Sequence, residues 1–504
     1  MKRTLALVLA LVMCSFALIS CKKEEEAVED TAPVSTETDN GLEYDENGYL
    51  KDKVGNRDFG GTEINICGWS NVEKHVPEFG VKELTGADVV SSAAYIKNKK
   101  VEDRLRVKLA FETVDGWTGS GETGAGQAQL TRVETTAGTD EIDLIGTYSW
   151  NAGVFTTNGY LTNLNTMPHV DLTAPWWNST VQEKSSIYGK VYFATGDIAP
   201  SLIRSTYAVF FNKSLVEDYN GLEDPYALYE SGDWTLDKMI EMSSKAYSDA
   251  GEAGVKEKTD KFGFVTFGTA TDAFYHGSDL MLIENASDGS MLLSDDFTSS
   301  KVHDLLVKLI NFDKTAACFI TAKTQDSPDD GWHRSIWESG NALFMLEEFS
   351  QVENWVDSNA KNFGILPMPK YDKEQTKYYT LSGFYHTIYC VPKALTGNEA
   401  VGATLECLAS ECYRRVTPAY YENLIQTRYS TTVKEAMMFD AVRECVVFDS
   451  GRIYNQHFGW KTAQQFRINL RESDTNWASA SDGLKGNIEA NVTSLNQLAS
   501  AVLG

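Results

Sequence analysis

The sequence is poor in the residues that build metal sites and disulfide frameworks. It contains 8 cysteines and 7 histidines among 504 residues. The cysteines show no CxxC pair or zinc-ligand spacing, and the histidines show no HExxH motif and no pair one helical turn apart. Spacing alone does not pair the cysteines with one another. The sequence therefore predicts no structural or catalytic metal and no cofactor.

Positive charge is also scarce. Lys and Arg together number 45 against 71 Asp and Glu, which gives a formal net charge of −26. A surface of this sign repels phosphate backbones and anionic head groups. The charge argues against nucleic acid as a partner and disfavours a strongly anionic ligand, although a local basic pocket would escape this argument.

A long apolar run is present only at the amino terminus. Two basic residues precede an apolar stretch over 5–19, which is too short to span a bilayer because a helix needs about 20 residues for that. Residues 18–21, Leu-Ile-Ser-Cys, resemble the bacterial lipobox, in which the Cys becomes the lipid-modified first residue. Residues 1–20 are therefore predicted to be a lipoprotein signal peptide, with Cys21 carrying a lipid that anchors an extracytoplasmic protein to the cell membrane. A plain secretory signal cleaved nearby is the alternative.

The remaining chain is long enough for more than one folding unit, because single cores rarely grow beyond about 250–300 residues. A hydrophobic content of 42% and an aromatic content of 11% are typical of globular proteins. Residues 21–58 are predicted to be the lipidated Cys and a flexible, acidic and turn-rich tether. Beyond them, β-rich runs alternate with helical apolar spacing, which predicts an α/β protein with mainly parallel sheets.

Large aromatic side chains follow the first three predicted strands. Runs with strand composition cover 62–67, 107–114 and 142–146. The carboxyl ends of parallel strands lie at one edge of a sheet, where ligands of open α/β proteins bind. We therefore expect these rings to gather at a ligand site and to be half-exposed when it is open; packing onto neighbouring helices is the alternative. The residues are Trp69, Trp117, Tyr148 and Trp150.

Two other motifs suggest catalysis or cofactor binding. Residues 119–124 match GxGxxG, but the preceding strand ends near Val114, too early for a tight phosphate turn, so a mobile loop is favoured. Glu347 and Glu348 could form a glycosidase pair. Adjacent strand residues point to opposite faces, however, so these two carboxyls are not expected to converge. Glu347 remains a candidate to accept hydrogen bonds from sugar hydroxyls.

Five passages, in their order along the chain, resemble the extracellular solute-binding proteins of family 1, the receptors of carbohydrate-type ABC importers. The resemblance covers about residue 60 to the end. Phe211 stands where the family usually has Tyr, and residues 346–349 replace the usual small residues. The passages are DLI with GYLTNL (143–164), IYGKVY with AVFFNKSL (187–215), DWTLDKM (233–239), WESGNALFM (337–345) and FGILPMP (363–369).

The resemblance implies a periplasmic-binding-protein-like α/β fold of two lobes joined by crossing segments, with the ligand in the cleft between them. We place the first lobe at 59–203 plus 342–382 and the second at 204–341 plus 383–504. The implied function is capture of a neutral solute, a mono- or oligosaccharide above all, and its delivery to ABC permease subunits by a monomeric, non-enzymatic protein. An extracellular polysaccharide-degrading enzyme and a surface sensor are the alternatives.

The predicted ligand-binding residues combine strand-end aromatics with residues near the expected crossings. Aromatic rings cover the apolar faces of sugars, while acids, amides and Arg bind the hydroxyls. A surface ion pair is the alternative for Arg204, and core packing is the alternative for the later aromatics. The predicted set is Trp69, Tyr148, Trp150, Asp197, Arg204, Trp332, Glu347, Phe384 and Tyr385.

The first prediction concerns the anchor. Cys21→Ser should release the protein from the membrane fraction, because the residue expected to carry the lipid is lost. Cell fractionation followed by a high-salt wash measures this. A variant that stays membrane-bound after the wash would show that the protein is not a lipoprotein anchored at this residue.

Overall fold

The computed structural model of the protein describes most of the chain from residue 42 onward, and Tyr44–Gly504 form one compact unit. The predicted tether of 21–58 therefore extends too far, because Val54 is buried and Asp52 accepts hydrogen bonds from Arg104. A turn-rich, polar composition did not reveal these contacts with distant residues. No helix among the described residues is long and apolar enough to cross a membrane. Cys21 and the glycine-rich segment 119–124 lie outside them, and the described residues are 42–80, 89–117, 126–219, 221–321, 331–355, 358–426, 433–459 and 461–501.

The first three strands follow the predicted runs to within two residues, and residues 107–114 match at both ends. In chain order they are β1 Thr62–Trp69, β2 Val107–Val114, β3 Leu144–Tyr148, β4 Tyr207–Asn212, β5 Phe262–Phe267, β6 Ile283–Asn285, β7 Met291–Leu293, β8 Cys318–Thr321, β9 Ala342–Glu348, β10 Phe363–Leu366, β11 Thr380–Leu381, β12 Thr387–Cys390 and β13 Val446–Val447.

Helices connect most of these strands. In chain order they are α1 Ser70–Glu73, α2 Val89–Leu105, α3 Gln127–Thr136, α4 Ser149–Thr157, α5 Ser179–Ser185, α6 Pro200–Arg204, α7 Lys213–Asp218, α8 Pro225–Ser231, α9 Leu236–Ala246, α10 Asp272–Gly277, α11 Ser300–Asp313, α12 Trp332–Glu338, α13 Glu399–Glu411, α14 Thr417–Gln426, α15 Val433–Glu444, α16 Ser450–Ile453, α17 Gln465–Glu472 and α18 Trp477–Ala501.

Two sheets form the centre of the molecule. The first sheet has the order β12-β3-β1-β2, and the second has the order β10-β4-β9-β5-β8. In the first sheet β1 is parallel to β2 and β3, and in the second β5 is parallel to β8 and β9. Every residue of β3 and of β4 is buried, as expected for inner strands with both faces covered. The predicted α/β class is confirmed.

Both sheets also contain an antiparallel strand that the alternation of strands and helices did not reveal. β4 runs antiparallel to β9 and β10, and β12 runs antiparallel to β3. Parallel neighbours need a long crossover connection, usually a helix. β4 and β12 are instead reached from segments through which the chain passes between the two sheets, and they run against their neighbours.

The sheet membership of three strands differs from the predicted lobe division. Residues 342–382 were assigned to the first lobe, but β9 and β10 lie in the second sheet. Residues 383–504 were assigned to the second lobe, but β12 lies in the first sheet, and α13 packs on α2, which contacts β2 of that sheet. From β4 to β10 the strands thus belong to the second sheet, except β6 and β7, which pair with each other. Composition cannot reveal this, because a buried strand has the same pattern in either sheet. The other lobe boundaries stay predictions.

The chain passes between the sheets in adjacent segments. Thr206 pairs with Ser382 in an antiparallel bridge, and the N–H of Gly383 donates to the carbonyl of Ser205 at 2.7 Å. Beside them β11 runs parallel to β13. We call residues 205–206 and 382–385 the crossing segments. Their pairing determines what faces the junction of the two sheets.

Phe79 fills a space that two glycines leave on the first sheet. Its ring lies against Gly68 of β1 and Gly146 of β3, and it is buried. A Cβ atom added at Gly146 would lie 2.3 Å from the Cε1 atom of the ring. The absence of a side chain at this position is therefore a packing requirement.

The second prediction tests this packing. Gly146→Ala should lower the melting temperature, because the added methyl group overpacks the site, which typically costs about 1–3 kcal/mol. Gly138→Ala is the matched control, since a Cβ atom there meets nothing within 4 Å. Thermal unfolding of both variants is the measurement. Equal melting temperatures for the two variants would contradict the placement of Phe79.

Candidate functional site

The structure brings the strand-end aromatics together with two residues of a crossing segment. Ring centroids lie 5.5 Å apart for Trp69 and Tyr148, and 5.6 Å apart for Tyr148 and Trp150. Phe384 lies 4.8 Å from Trp150, and Tyr385 lies 4.8 Å from Trp69. The predicted gathering of these side chains at one sheet edge is therefore confirmed. We call the set the aromatic group: Trp69, Trp117, Tyr148, Trp150, Phe384 and Tyr385.

Local hydrogen bonds fix the positions of these rings. Trp69 ends β1, and its indole N–H donates to the hydroxyl of Thr387 at 2.8 Å. Trp117 lies in the loop after β2, where the Asn71 side chain accepts bonds from the N–H groups of Gly116 and Trp117. Because β1, β2 and β3 are parallel, their carboxyl ends bring these side chains to the same edge.

The burial of the aromatic group divides it in two. Trp69, Tyr148 and Trp150 are 0%, 3% and 6% exposed, so these three rings are not half-exposed in this structure. The reason is that the crossing segment covers them with Phe384 and Tyr385. Those two rings are partly exposed, as is Trp117. Ligand contact by the group is consequently best tested at the partly exposed rings.

A buried charge cluster adjoins the aromatic group. The guanidinium carbon of Arg452 lies 3.7 Å from the centroid of the Phe384 ring. Its Nη1 donates to Asp272 at 3.2 Å, and Arg467 donates to the same carboxylate oxygen at 3.0 Å. Asp272 follows the carboxyl end of β5, so strand-end reasoning could have found it. Nothing in the sequence around the two arginines reveals this contact.

Glu348 faces the junction from the second sheet. It ends β9, and a Cβ atom added at Gly383 would lie 2.5 Å from its Oε1 atom, so its carboxyl group lies against a crossing segment. Burial, reinforced by the neighbouring Glu347, raises the pKa of Glu348 to about 8. The positive charge of Arg204 acts on Glu348 and also on Tyr385 of the aromatic group, favouring the ionised form of each.

Glu347 has a different environment from its neighbour. It is fully buried, and His333 Nε2 and Arg334 Nε lie 3.0 and 3.1 Å from its Oε2 atom. The two adjacent carboxyls thus have different partners, as the alternation of side chains along a strand predicts. A carboxylate bound in this way is already supplied with hydrogen-bond donors, and contact of Glu347 with a ligand stays a prediction.

Two other predicted residues lie apart from the aromatic group. Trp332 stacks on Phe319 of β8, with centroids 6.1 Å apart, and Lys258 Nζ lies 4.6 Å from its ring. Asp197 is buried and accepts bonds from Arg443 Nη2 at 2.6 and 2.9 Å and from the Thr417 hydroxyl at 2.7 Å. It lines a cavity of about 410 Å³ whose lining includes no residue of the aromatic group.

Cys67, Cys318 and Cys390 lie in strands and are buried. Burial raises the pKa of the Cys67 and Cys390 thiols. Among the described residues, no group of three or more His, Cys, Asp or Glu side chains is arranged to hold a metal ion.

No family model matches the chain, and no curated protein matches it. Solved structures do. The cyclic alpha-maltosyl-1,6-maltose binding protein from Arthrobacter globiformis matches with a TM-score of 0.53 and 14% identity, over 86% of this chain and 99% of that one. An extracellular solute-binding protein from Staphylococcus aureus in complex with maltose matches with a TM-score of 0.54 and 11% identity, over 86% and 98%. A family 1 extracellular solute-binding protein from Bifidobacterium longum subsp. infantis matches with a TM-score of 0.52 and 14% identity, over 85% of this chain and 99% of that one.

The chain has the two-lobed fold of these solute-binding proteins. The two sheets are the cores of its lobes, and the crossing segments join them. The aromatic group lies at this junction, because Phe384 and Tyr385 belong to a crossing segment. A cleft between lobes is where ligand sites concentrate in proteins.

The third prediction follows from the acidity of Glu348. Its pKa of about 8 exceeds the value of about 4.5 expected in the unfolded chain. Between these values the folded state keeps a proton that the unfolded state has lost, so the unfolding free energy should fall as pH rises through this window. Glu348→Gln should remove part of this fall. Urea unfolding at pH 5, 6, 7 and 8 measures it.

The unfolding free energy of the variant should still fall somewhat as pH rises, because burial also raises the pKa of Glu78 to about 7 and that of Glu406 to about 8. Glu374→Gln provides the matched control, since Glu374 is exposed and its removal should leave the profile of the parent protein. If the unfolding free energy of Glu348→Gln differs from that of the parent by the same amount at all four pH values, then Glu348 is not protonated in the folded protein.

Proposed function

We propose that the protein is an extracytoplasmic lipoprotein that captures a neutral sugar in the cleft between its lobes and delivers it to an ABC-type permease. The observation that carries this proposal is the aromatic group at the junction of the two lobes. Three of its rings, those of Trp117, Phe384 and Tyr385, keep exposed surface. The similar solved structures are of proteins named for binding cyclic alpha-maltosyl-1,6-maltose or bound to maltose, which supports a sugar as the ligand.

The groups around the rings suit a neutral, hydroxylated ligand. Aromatic faces pack against the apolar C–H surface of a sugar, and charged groups exchange hydrogen bonds with its hydroxyls. Charges of both signs lie around the rings, since Arg452 and Arg467 both donate to Asp272 and the charge of Arg204 acts on Glu348.

Cleft closure would give the permease a signal that sugar is bound. A ligand that contacts both lobes favours the closed arrangement by the difference between its affinities for the two states. The crossing segments are the elements about which such a hinge motion would turn. The permease would recognise the closed form, and Cys21 would hold the protein at the membrane by its lipid. We propose that the protein acts as a monomer.

The separation of Glu347 and Glu348 argues against a sugar-cleaving pair at this place. Glu347 is bound to His333 and Arg334, whereas Glu348 lies against Gly383. Glycoside hydrolysis needs two carboxyls that flank one bond. The proposal is therefore one of binding without chemistry, and recovery of unchanged sugar from the denatured complex would support it, whereas shortened products would indicate an enzyme.

The fourth prediction combines a ligand screen with one variant. Full-length protein in a mild detergent should melt at a higher temperature with at least one of glucose, galactose, xylose, maltose and cellobiose. A sugar at one hundred times its dissociation constant should stabilise the protein by about 2.7 kcal/mol. Tyr385→Ala should weaken that binding by about 2 kcal/mol, roughly thirtyfold, because it removes a ring from the ligand surface.

Melting without sugar separates a loss of binding from a loss of folding. Tyr385→Ala should change it little, because the ring is partly exposed, whereas Trp69→Ala should lower it strongly because Trp69 is fully buried. Tyr371→Ala is the control for binding, since Tyr371 is also partly exposed but lies near Lys308, outside the aromatic group. Sugar affinity equal to that of the parent in Tyr385→Ala would place the ligand elsewhere.

A further inference from the structure

A second environment for a ligand lies beside the crossing segments. The cavity of about 410 Å³ is lined by residues that adjoin both sheets, including Asp197 before the first crossing segment and Phe349 directly after β9. Thr206 of that crossing segment also lines it. The volume lies in the range of about 300–1,000 Å³ that is usual for small-molecule sites. The cavity is therefore large enough to hold more than ordered water.

One wall of the cavity is held in place by a buried carboxyl group. Trp176 and Trp177 both line the cavity, and their indole N–H groups donate to the two oxygens of Glu406 at 3.1 and 3.0 Å. The carbonyl of Trp176 also accepts the N–H of Asp197 at 2.9 Å. The orientation of both indoles is thus set before any ligand arrives, which reduces the cost of ordering the site on binding.

The polar residues of the cavity have hydrogen-bond capacity that the described residues do not use. Both hydrogen bonds of Arg443 among these residues are made by Nη2 to Asp197, which leaves its Nε and Nη1 groups available. The hydroxyls of Tyr413 and Tyr421 likewise make no hydrogen bond in the described part of the chain. Guanidinium and phenol groups are strong donors. The hydroxyl oxygens of a ligand could accept hydrogen bonds from these donors.

The charges of the cavity disfavour an anionic ligand. Asp197 neutralises Arg443 at 2.6 Å, and Glu444 adds a further carboxyl to the lining. An anion would meet these two carboxyls. A neutral ligand with an apolar face for the indoles and hydroxyls for the donors avoids that conflict. A sugar ring has this chemistry.

We propose that this cavity is a second binding site, for a small neutral sugar, distinct from the aromatic group at the lobe junction. The site does not depend on the aromatic group for any of its contacts. The protein would then hold two sugars at saturation, one at each place. The two sites are separable by variants, because their lining residues do not overlap.

The test is a count of bound sugar. Full-length protein in mild detergent is dialysed to equilibrium against labelled glucose, galactose, xylose, maltose and cellobiose, each up to saturation. For a sugar that binds, we expect two moles of it bound per mole of protein at saturation. Ile203→Phe adds volume at the cavity lining and should remove one of them, whereas Ile203→Leu conserves volume and should keep both. Tyr385→Ala should weaken the other event and leave the cavity event unchanged.

A second variant guards against misfolding. If Ile203→Phe melts far below the parent, Tyr421→Phe replaces it, since it removes only a hydroxyl group and should weaken the cavity event several-fold. If one mole of sugar binds, and Tyr385→Ala weakens this binding while Ile203→Phe and Tyr421→Phe do not, the cavity site is overturned and the proposed function stands. One mole with the reverse sensitivities supports the cavity site and overturns the aromatic group as the capture site. Binding of none of the five sugars overturns both.

Discussion

The antiparallel pairing of the crossing segments determines the geometry of everything at the lobe junction. The N–H of Gly383 donates to Ser205, and the hydroxyl of Ser205 donates to the carbonyl of Tyr385 at 2.5 Å. These bonds hold Phe384 and Tyr385 over the strand-end rings of the first sheet. They also require a residue without a side chain at Gly383, because the carboxyl group of Glu348 occupies that space.

A buried hydrogen-bond network ties this pairing to the first sheet. Thr387, the first residue of β12, donates its hydroxyl to Glu78 and accepts the indole N–H of Trp69. The same carboxyl group accepts the N–H of Ser201 in α6 at 2.7 Å. Burial raises the pKa of Glu78 to about 7, so the network includes an acid that is partly protonated at neutral pH. Trp69 is consequently as much a structural residue as a ring of the aromatic group.

The two ligand environments share one boundary. The aromatic group includes residues of the crossing segment 382–385, and the cavity is lined by Thr206 of the segment paired with it. Each environment also includes groups that adjoin both sheets. Both environments therefore lie against the segments that join the two lobes.

The local pattern of the sequence determined the elements, and the tertiary structure decided how they meet. The strand 107–114 was predicted at both ends, because alternation and apolar runs reflect burial of the strand itself. The rings at the carboxyl ends of β1 and β3 were found for the same reason, since their place follows from strand direction. The pairing of Asp197 with Arg443 and the membership of β9 in the second sheet join residues far apart in the chain. No local pattern specifies such contacts, because they depend on which buried surfaces the folded chain brings together.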